Sequence, residues 1–339
     1  MALEFTLLVD EPGFPPWQAF VIWQVDGYVV MRGNTSATWR TVTPYDMTTW
    51  FECNAGITTQ QGSGCVHNGD LYHWGGLSSS SLRKSTNKGD SFAAISTGPG
   101  DVIASSFIRD HIGNMRCDAM ASFGGYLWII GGLRNVGAAG FRNGVIRSVD
   151  GHFWEIVLPW TTPASTPADM FQPFEYGQLV VLNSRMYLLG IENAADQERW
   201  VWSSTDGATW TPLTTSAPWP LNQTSGYKAA VLGGRIYVLV NNDVWSSSDG
   251  ITWTSENAVA PFGTQFNGGW IAINGALHYV AGTVDGVTSN DIYKSQVVVP
   301  LRAAVFPAAS ARTSHVRIMR GHRNPQQAQD FHEVMRVGA

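Results

Sequence analysis

Lysine is nearly absent from this chain. Only Lys84, Lys88, Lys228 and Lys294 occur among 339 residues, and charged residues of both signs make up just 14%. With a net charge of −5, the chain has no general attraction for nucleic acid or an anionic membrane. Cysteine is scarce too. Cys53, Cys65 and Cys117 cannot all pair, and their spacing matches no metal-binding knuckle, so buried thiols are expected. No stretch approaches the roughly 20 apolar residues of a membrane-spanning helix. Met1-Ala2-Leu3-Glu4-Phe5 has no basic flank and no long apolar run, which reads as the absence of a signal peptide and as synthesis in a cytosol. A phosphate-cradling glycine loop, a zinc spacing and a nucleophile elbow are all missing. The expectation is therefore no cofactor, no bound metal and no enzyme activity.

Glycine (36) and tryptophan (15) are abundant, and hydrophobic residues reach 44%. That profile fits many short strands joined by tight turns, with aromatic side chains between sheets. One phrase recurs. Trp202-Ser203-Ser204-Thr205-Asp206-Gly207-Ala208-Thr209-Trp210 returns as Trp245-Ser246-Ser247-Ser248-Asp249-Gly250-Ile251-Thr252-Trp253. It returns again as Arg147-Ser148-Val149-Asp150-Gly151-His152-Phe153-Trp154, and in worn form around Asn87-Lys88-Gly89 and Asp46-Met47. Asp-Gly between strand-like runs predicts a hairpin, because both residues tolerate positive φ. Asp46, Asp150, Asp206 and Asp249 recur in copy after copy, so they are expected to build turns and not to catalyse.

A second phrase precedes the first: a small turn, an aliphatic or aromatic strand, then often glycine. Its turns start at residues 26, 68, 124, 183, 233 and 274. A period of about 40–50 residues with about four strands per copy predicts propeller blades. The sixth copy lacks its fourth strand. The segment from Phe5 to Pro15 echoes that from Trp210 to Pro220, so the N-terminal strand is expected to complete blade 6. Ring closure of this kind removes open sheet edges. The predicted fold is an all-β six-bladed β-propeller over residues 1–299, followed by a C-terminal extension, 300–339, that contains a short helix.

The small-turn phrase followed by Tyr and Gly-Gly resembles kelch repeats, and Ser-x-Asp-Gly-x-x-Trp resembles the Asp-box of sialidase-like propellers. The resemblance implies a propeller and leaves the function open, because such folds carry hydrolases, oxidases, lectins and scaffolds. A sialidase of this kind would need an arginine set from separate blades and a Tyr-Glu pair, and a kelch-type oxidase would need a Cys-Tyr crosslink. Neither pattern is present.

Aromatic and basic residues in the long loops are the candidate ligand contacts: Arg109, Arg116, Arg134, Trp160, Tyr176, Trp219, Tyr227 and Trp270. Rings beside polar groups suit sugar recognition. The extension holds six arginines against Asp330 and Glu333, a local net charge of +4. Arg317, Arg320 and Arg323, with Phe331 and Met335 on one face of a helix starting at Asn324-Pro325, are expected to dock on a protein partner. The expected function is a non-catalytic binding or structural propeller anchored by this tail to an assembly such as a phage tail or viral particle, where it binds a receptor or glycan. A glycan hydrolase or lyase, or a kelch-like cytosolic scaffold, are the alternatives.

Overall fold

The computed structural model describes residues 2–16, 19–33, 37–53, 62–75, 81–95, 104–112, 119–133, 140–192, 199–220, 227–256, 265–266, 268–284 and 287–298. Residues Met1–Val299 form one unit and Pro300–Ala339 another. The second, with Arg317, Arg320, Arg323, Phe331 and Met335, lies outside the described residues.

Six antiparallel blades make up the first unit. Their inner strands are Ala19–Val25, Ser63–His67, Met120–Phe123, Phe174–Leu182, Lys228–Leu232 and Gly269–Ile273. Each inner strand turns into a second strand through two residues with positive φ, such as Asp26-Gly27, Asn68-Gly69 and Asn274-Gly275. That geometry matches the twist of a two-residue hairpin and selects Asn, Asp and Gly. Blades 3 and 4 share one bridge, Arg142 opposite Phe174.

The ring closes as the sequence predicts. Ala2–Val9 pairs antiparallel with Val287–Val298 of blade 6, with Leu3 opposite Val297 and Phe5 opposite Ser295. Leu3 and Phe5 are buried, and the Phe5 ring lies 5.8 Å from that of Trp270. Glu4 and Thr6 between and after them face water, and Leu7, next to the register shift that follows it, is 50% exposed.

An apolar cluster fills each interface between neighbouring blades. The recurrent turn locks these interfaces. In blade 4 the Ser204 hydroxyl accepts from the Gly207 amide at 2.7 Å. Asp206 accepts from the amides of Ala208 and Thr209 at 2.9 and 2.8 Å, and Trp210 donates to the Gly207 carbonyl at 2.9 Å. The Thr209 amide, with the Ala208 amide, holds the Asp206 carboxyl below its ordinary range. Blades 3 and 5 repeat these bonds through Asp150 and Asp249. Blade 1 keeps only part of them, with Asp46 accepting from the amide and hydroxyl of Thr48. One correction concerns backbone geometry. Only the glycine takes positive φ, and the aspartates do not, so these turns are longer than two-residue hairpins.

Gly207 has φ +74°, and a Cβ there would come within 2.2 Å of the Trp128 ring of blade 3. Gly151 and Gly250 meet Tyr72 and Tyr187 of their preceding blades in the same way, and Gly89 meets Val30. All four partners are the third residue of a second strand.

A helix, Ala104–His111, was not expected before residue 300. Ile108 and Ile112, four residues apart, are both fully buried, and they join the cluster between blades 2 and 3. The segment folds as a helix because this spacing puts both side chains on one face.

Two outcomes follow. Phe5→Ala should lower unfolding free energy by about 3–5 kcal/mol, while Leu7→Ala should change it by less than about 0.5 kcal/mol. Equal effects in denaturant titrations would contradict the closing role of this strand. The second concerns His278, the third residue of the second strand in blade 6, which is 2% exposed. Burial, with the nearby Lys294 charge, lowers its pKa from 6.5 to about 4. The unfolded chain then takes up a proton that the folded chain refuses, so stability is lost as pH falls from 6.5 toward 4. The loss amounts to about 3 kcal/mol at 1.36 kcal/mol per unit. His278→Gln should flatten the thermal-stability curve across that window. An unchanged slope would assign the acid sensitivity to other groups.

Candidate functional site

The starting ends of the inner strands converge on a cavity of about 140 Å3 at the propeller axis. Every blade contributes: Val21 and Ile22; Gly62, Ser63 and Gly64; Met120; Gln178 and Leu179; Lys228 and Ala229; Gly268, Gly269 and Trp270. The ends of these strands also receive the loops from the preceding blades, so the cavity sits at the loop face of the ring.

Glycine leaves room at the axis because six strands converge there. At Gly64 a Cβ would come within 2.5 Å of the Trp23 indole nitrogen. Among the described lining residues Lys228 is the one charged group, and none is a carboxylate. Gln178 ties two blades at the rim, its side-chain oxygen accepting from the Ala229 amide at 3.4 Å. Ser63 is 4% exposed, and its hydroxyl has no hydrogen-bond partner. A small polar or anionic group is the occupant that these walls suit. Among the described residues, no group of three or more His, Cys, Asp or Glu is placed to hold a metal ion.

The expected ligand contacts divide sharply. Trp270 lines the cavity, although only 4% of it is exposed. Trp219 and Tyr227 do not: both are fully buried in the core between blades 4 and 5. Their rings lie 5.6 Å apart, and Trp219 stands edge-on to Trp253 at 4.7 Å. These two are corrections, and the reason is packing. Phe14 stands edge-on to Trp50 and Phe171 to Trp210. In each case an aromatic residue ahead of an inner strand meets the turn Trp of that same blade. Trp160 is half-buried under the Arg142 guanidinium, 3.3 Å from its ring centre. Arg116 and Arg134 lie outside the described residues, as do the side chains of Arg109 and Tyr176.

Other polar candidates are structural. His67 spans blades 2 and 3, with Nδ1 2.8 Å from the Ser122 hydroxyl and Nε2 2.8 Å from the Val149 carbonyl. Cys53 is buried, and burial pushes its thiol up to about 12. Burial raises Cys65 as well. Both are therefore poor nucleophiles at neutral pH. Cys117 lies outside the described residues. Lys228, which the wall places at the axis, was legible from its position at the start of an inner strand.

A family model described as the DUF6242 beta propeller domain matches residues 157–313, less than half of the chain. No curated protein sequence matches. The solved structure of YjhT is similar over 83% of this chain and 94% of that one, with a TM-score of 0.59 and 13% identity. At that identity the likeness is one of fold.

The reassignment of Trp219 carries its own consequence. Trp219→Ala should cost about 3–5 kcal/mol of stability in the absence of any ligand. A variant with unchanged stability would return Trp219 to the loop surface.

Proposed function

We propose that this protein is a non-catalytic binding propeller whose ligand reaches the axial cavity at Lys228. In this reading the basic segment 300–339 holds it in a larger assembly, such as a phage tail or viral particle. The observation that carries the binding reading is the composition of the cavity wall. All six blades supply small or apolar walls, Trp270 stands at one side, and a single ammonium is the only charge among the described lining residues. Among the described residues, the Lys228 ammonium meets no carboxylate within ion-pair distance, while its backbone pairs with Leu239 in the sheet. That arrangement favours an acidic group on the ligand. Glycosidic hydrolysis uses two carboxylates astride the bond, and no described residue of the cavity wall carries one, which supports the binding reading. The attachment role rests on the charge contrast between the extension, at +4, and the rest of the chain, at −9.

The test is a glycan array of neutral and acidic sugars, read with the wild type and Lys228→Ala. Acidic glycans should be retained, and loss of the charged contact should weaken them about tenfold or more, the worth of a hydrogen bond to a charged group. Equal retention of neutral and acidic glycans by both proteins would sink the role of Lys228. Recovery of assembly components from the native source by the full-length protein tests the attachment role, and recovery of none would reject it.

A further inference from the structure

The apolar layer between blades 1 and 2 is interrupted by a buried basic cluster. Arg32, in the second strand of blade 1, is 0% exposed, and so is His73 in the second strand of blade 2. Arg32 Nη1 lies 3.4 Å from His73 Nε2. The other edge of the guanidinium is unused: Nε and Nη2 have no hydrogen-bond partner. Those two donors lie on one side of the planar group and form the fork that binds two coplanar oxygens.

The surroundings add positive charge and a hydroxyl. Arg83 is opposite His73 in register. Thr38 is opposite Arg32, is 0% exposed, and its hydroxyl has no partner. No described carboxylate pairs with Arg32. The segments 34–36, 54–61 and 76–80, which join these strands in sequence, contain no Asp or Glu. Burial and the Arg83 charge lower the Arg32 pKa to about 10, so the group keeps its charge at neutral pH. A buried charge without a partner is costly, and an anion would offset that cost.

The cluster stands just behind the cavity wall. Val21, a lining residue, is opposite Arg32 in register. Gly62, another, has φ +115°, and a Cβ there would lie 3.0 Å from His73 Nε2. A Cβ there would also come within 2.4 Å of the Trp74 carbonyl oxygen, so only glycine lets the wall pack directly against the imidazole edge.

We propose that Arg32, with His73, Arg83 and the Thr38 hydroxyl, forms a carboxylate-binding seat between blades 1 and 2, reached from the axial cavity past Gly62. A carboxylate fits better than a tetrahedral dianion. It is planar, its two oxygens match the two open donors, and its one negative charge balances one guanidinium. This seat is independent of Lys228 and of attachment to any assembly.

Thermal unfolding at neutral pH with acetate, glucuronate or chloride at equal ionic strength tests the idea. Acetate should raise the wild-type midpoint above chloride, in a saturable way. Arg32→Met should lose that rise. Arg32→Lys, which keeps charge but not the fork, should weaken the apparent acetate affinity about tenfold or more, and Lys228→Ala should keep it. A matching rise with glucuronate identifies an acidic sugar as the source; a rise with acetate alone identifies a small free carboxylate. The Arg32 Nε–H signal in NMR should shift with acetate in the wild type, which needs no variant to fold. No acetate effect on either readout, or equal midpoint shifts in the wild type and both Arg32 variants, would overturn the seat.

Discussion

The propeller depends on a contact less than one side chain wide. A turn glycine in one blade rests directly on the third residue of the second strand in the blade before it. Gly207 on Trp128, Gly151 on Tyr72 and Gly250 on Tyr187 leave no room for a Cβ. The rest of the recurrent phrase holds that glycine in place. Serine takes its amide, aspartate takes the amides that follow, and tryptophan closes over its carbonyl. This explains why the aspartates are spent on structure, since their oxygens already accept backbone donors. Tyr72 adds a direct bond from its hydroxyl to the Asp150 carbonyl at 3.1 Å, so the turn of blade 3 is pinned by blade 2.

Blade 6 has no such turn, and the ring is closed there by other means. The N-terminal strand supplies Leu3 and Phe5, which pack with Tyr279, Leu277 and Trp270. The position that holds Tyr or Trp in blades 2 to 5 holds His278 in blade 6, beside Lys294 in register. The closing blade therefore carries a titratable group where most others carry an aromatic ring. Burial lowers the pKa of that imidazole, so acid is expected to weaken the fold at the joint where the two ends of the propeller chain meet.

Blade number and ring closure were legible because each rests on local chemistry. Paired turn residues with positive φ announce themselves at six places, and a missing fourth strand has only one replacement with alternating apolar residues. The helix Ala104–His111 was hidden because its apolar face consists of little more than Ile108 and Ile112. The loop aromatics misled for another reason. Composition cannot tell a ring offered to a ligand from one folded back on its own blade. A signal was nonetheless present: Phe14-Pro15, Phe171-Gln172-Pro173 and Trp219-Pro220 each put a proline just after the ring. Each of these rings meets a turn Trp. The axial position of Lys228 could be read from its place at the start of a strand, whereas the pairing of Arg32 with His73 joins residues 41 apart on different blades.

Two arginines of blade 1 show what separates a structural cation from one left open. Arg40 reaches the turn of blade 2 and is consumed there. It bonds the Asn87 and Lys88 carbonyls at 3.2 and 3.1 Å and pairs with Asp90 at 3.1 Å. It is also part-exposed, with 14% of its side chain in water, so its charge costs little. Arg32 points to the same neighbouring blade and is buried completely, yet among the described residues it finds an imidazole and no acid. Structural economy would place an apolar residue there, as at Val30 two positions earlier, or a partner like Asp90. A chain with so few lysines and so little charge has nevertheless buried a guanidinium beside a second arginine. Interblade packing does not require that arrangement, since the neighbouring Trp23, Leu71 and Phe92 already fill the layer. An anion supplied from outside the chain accounts for the site better than cohesion of the ring does.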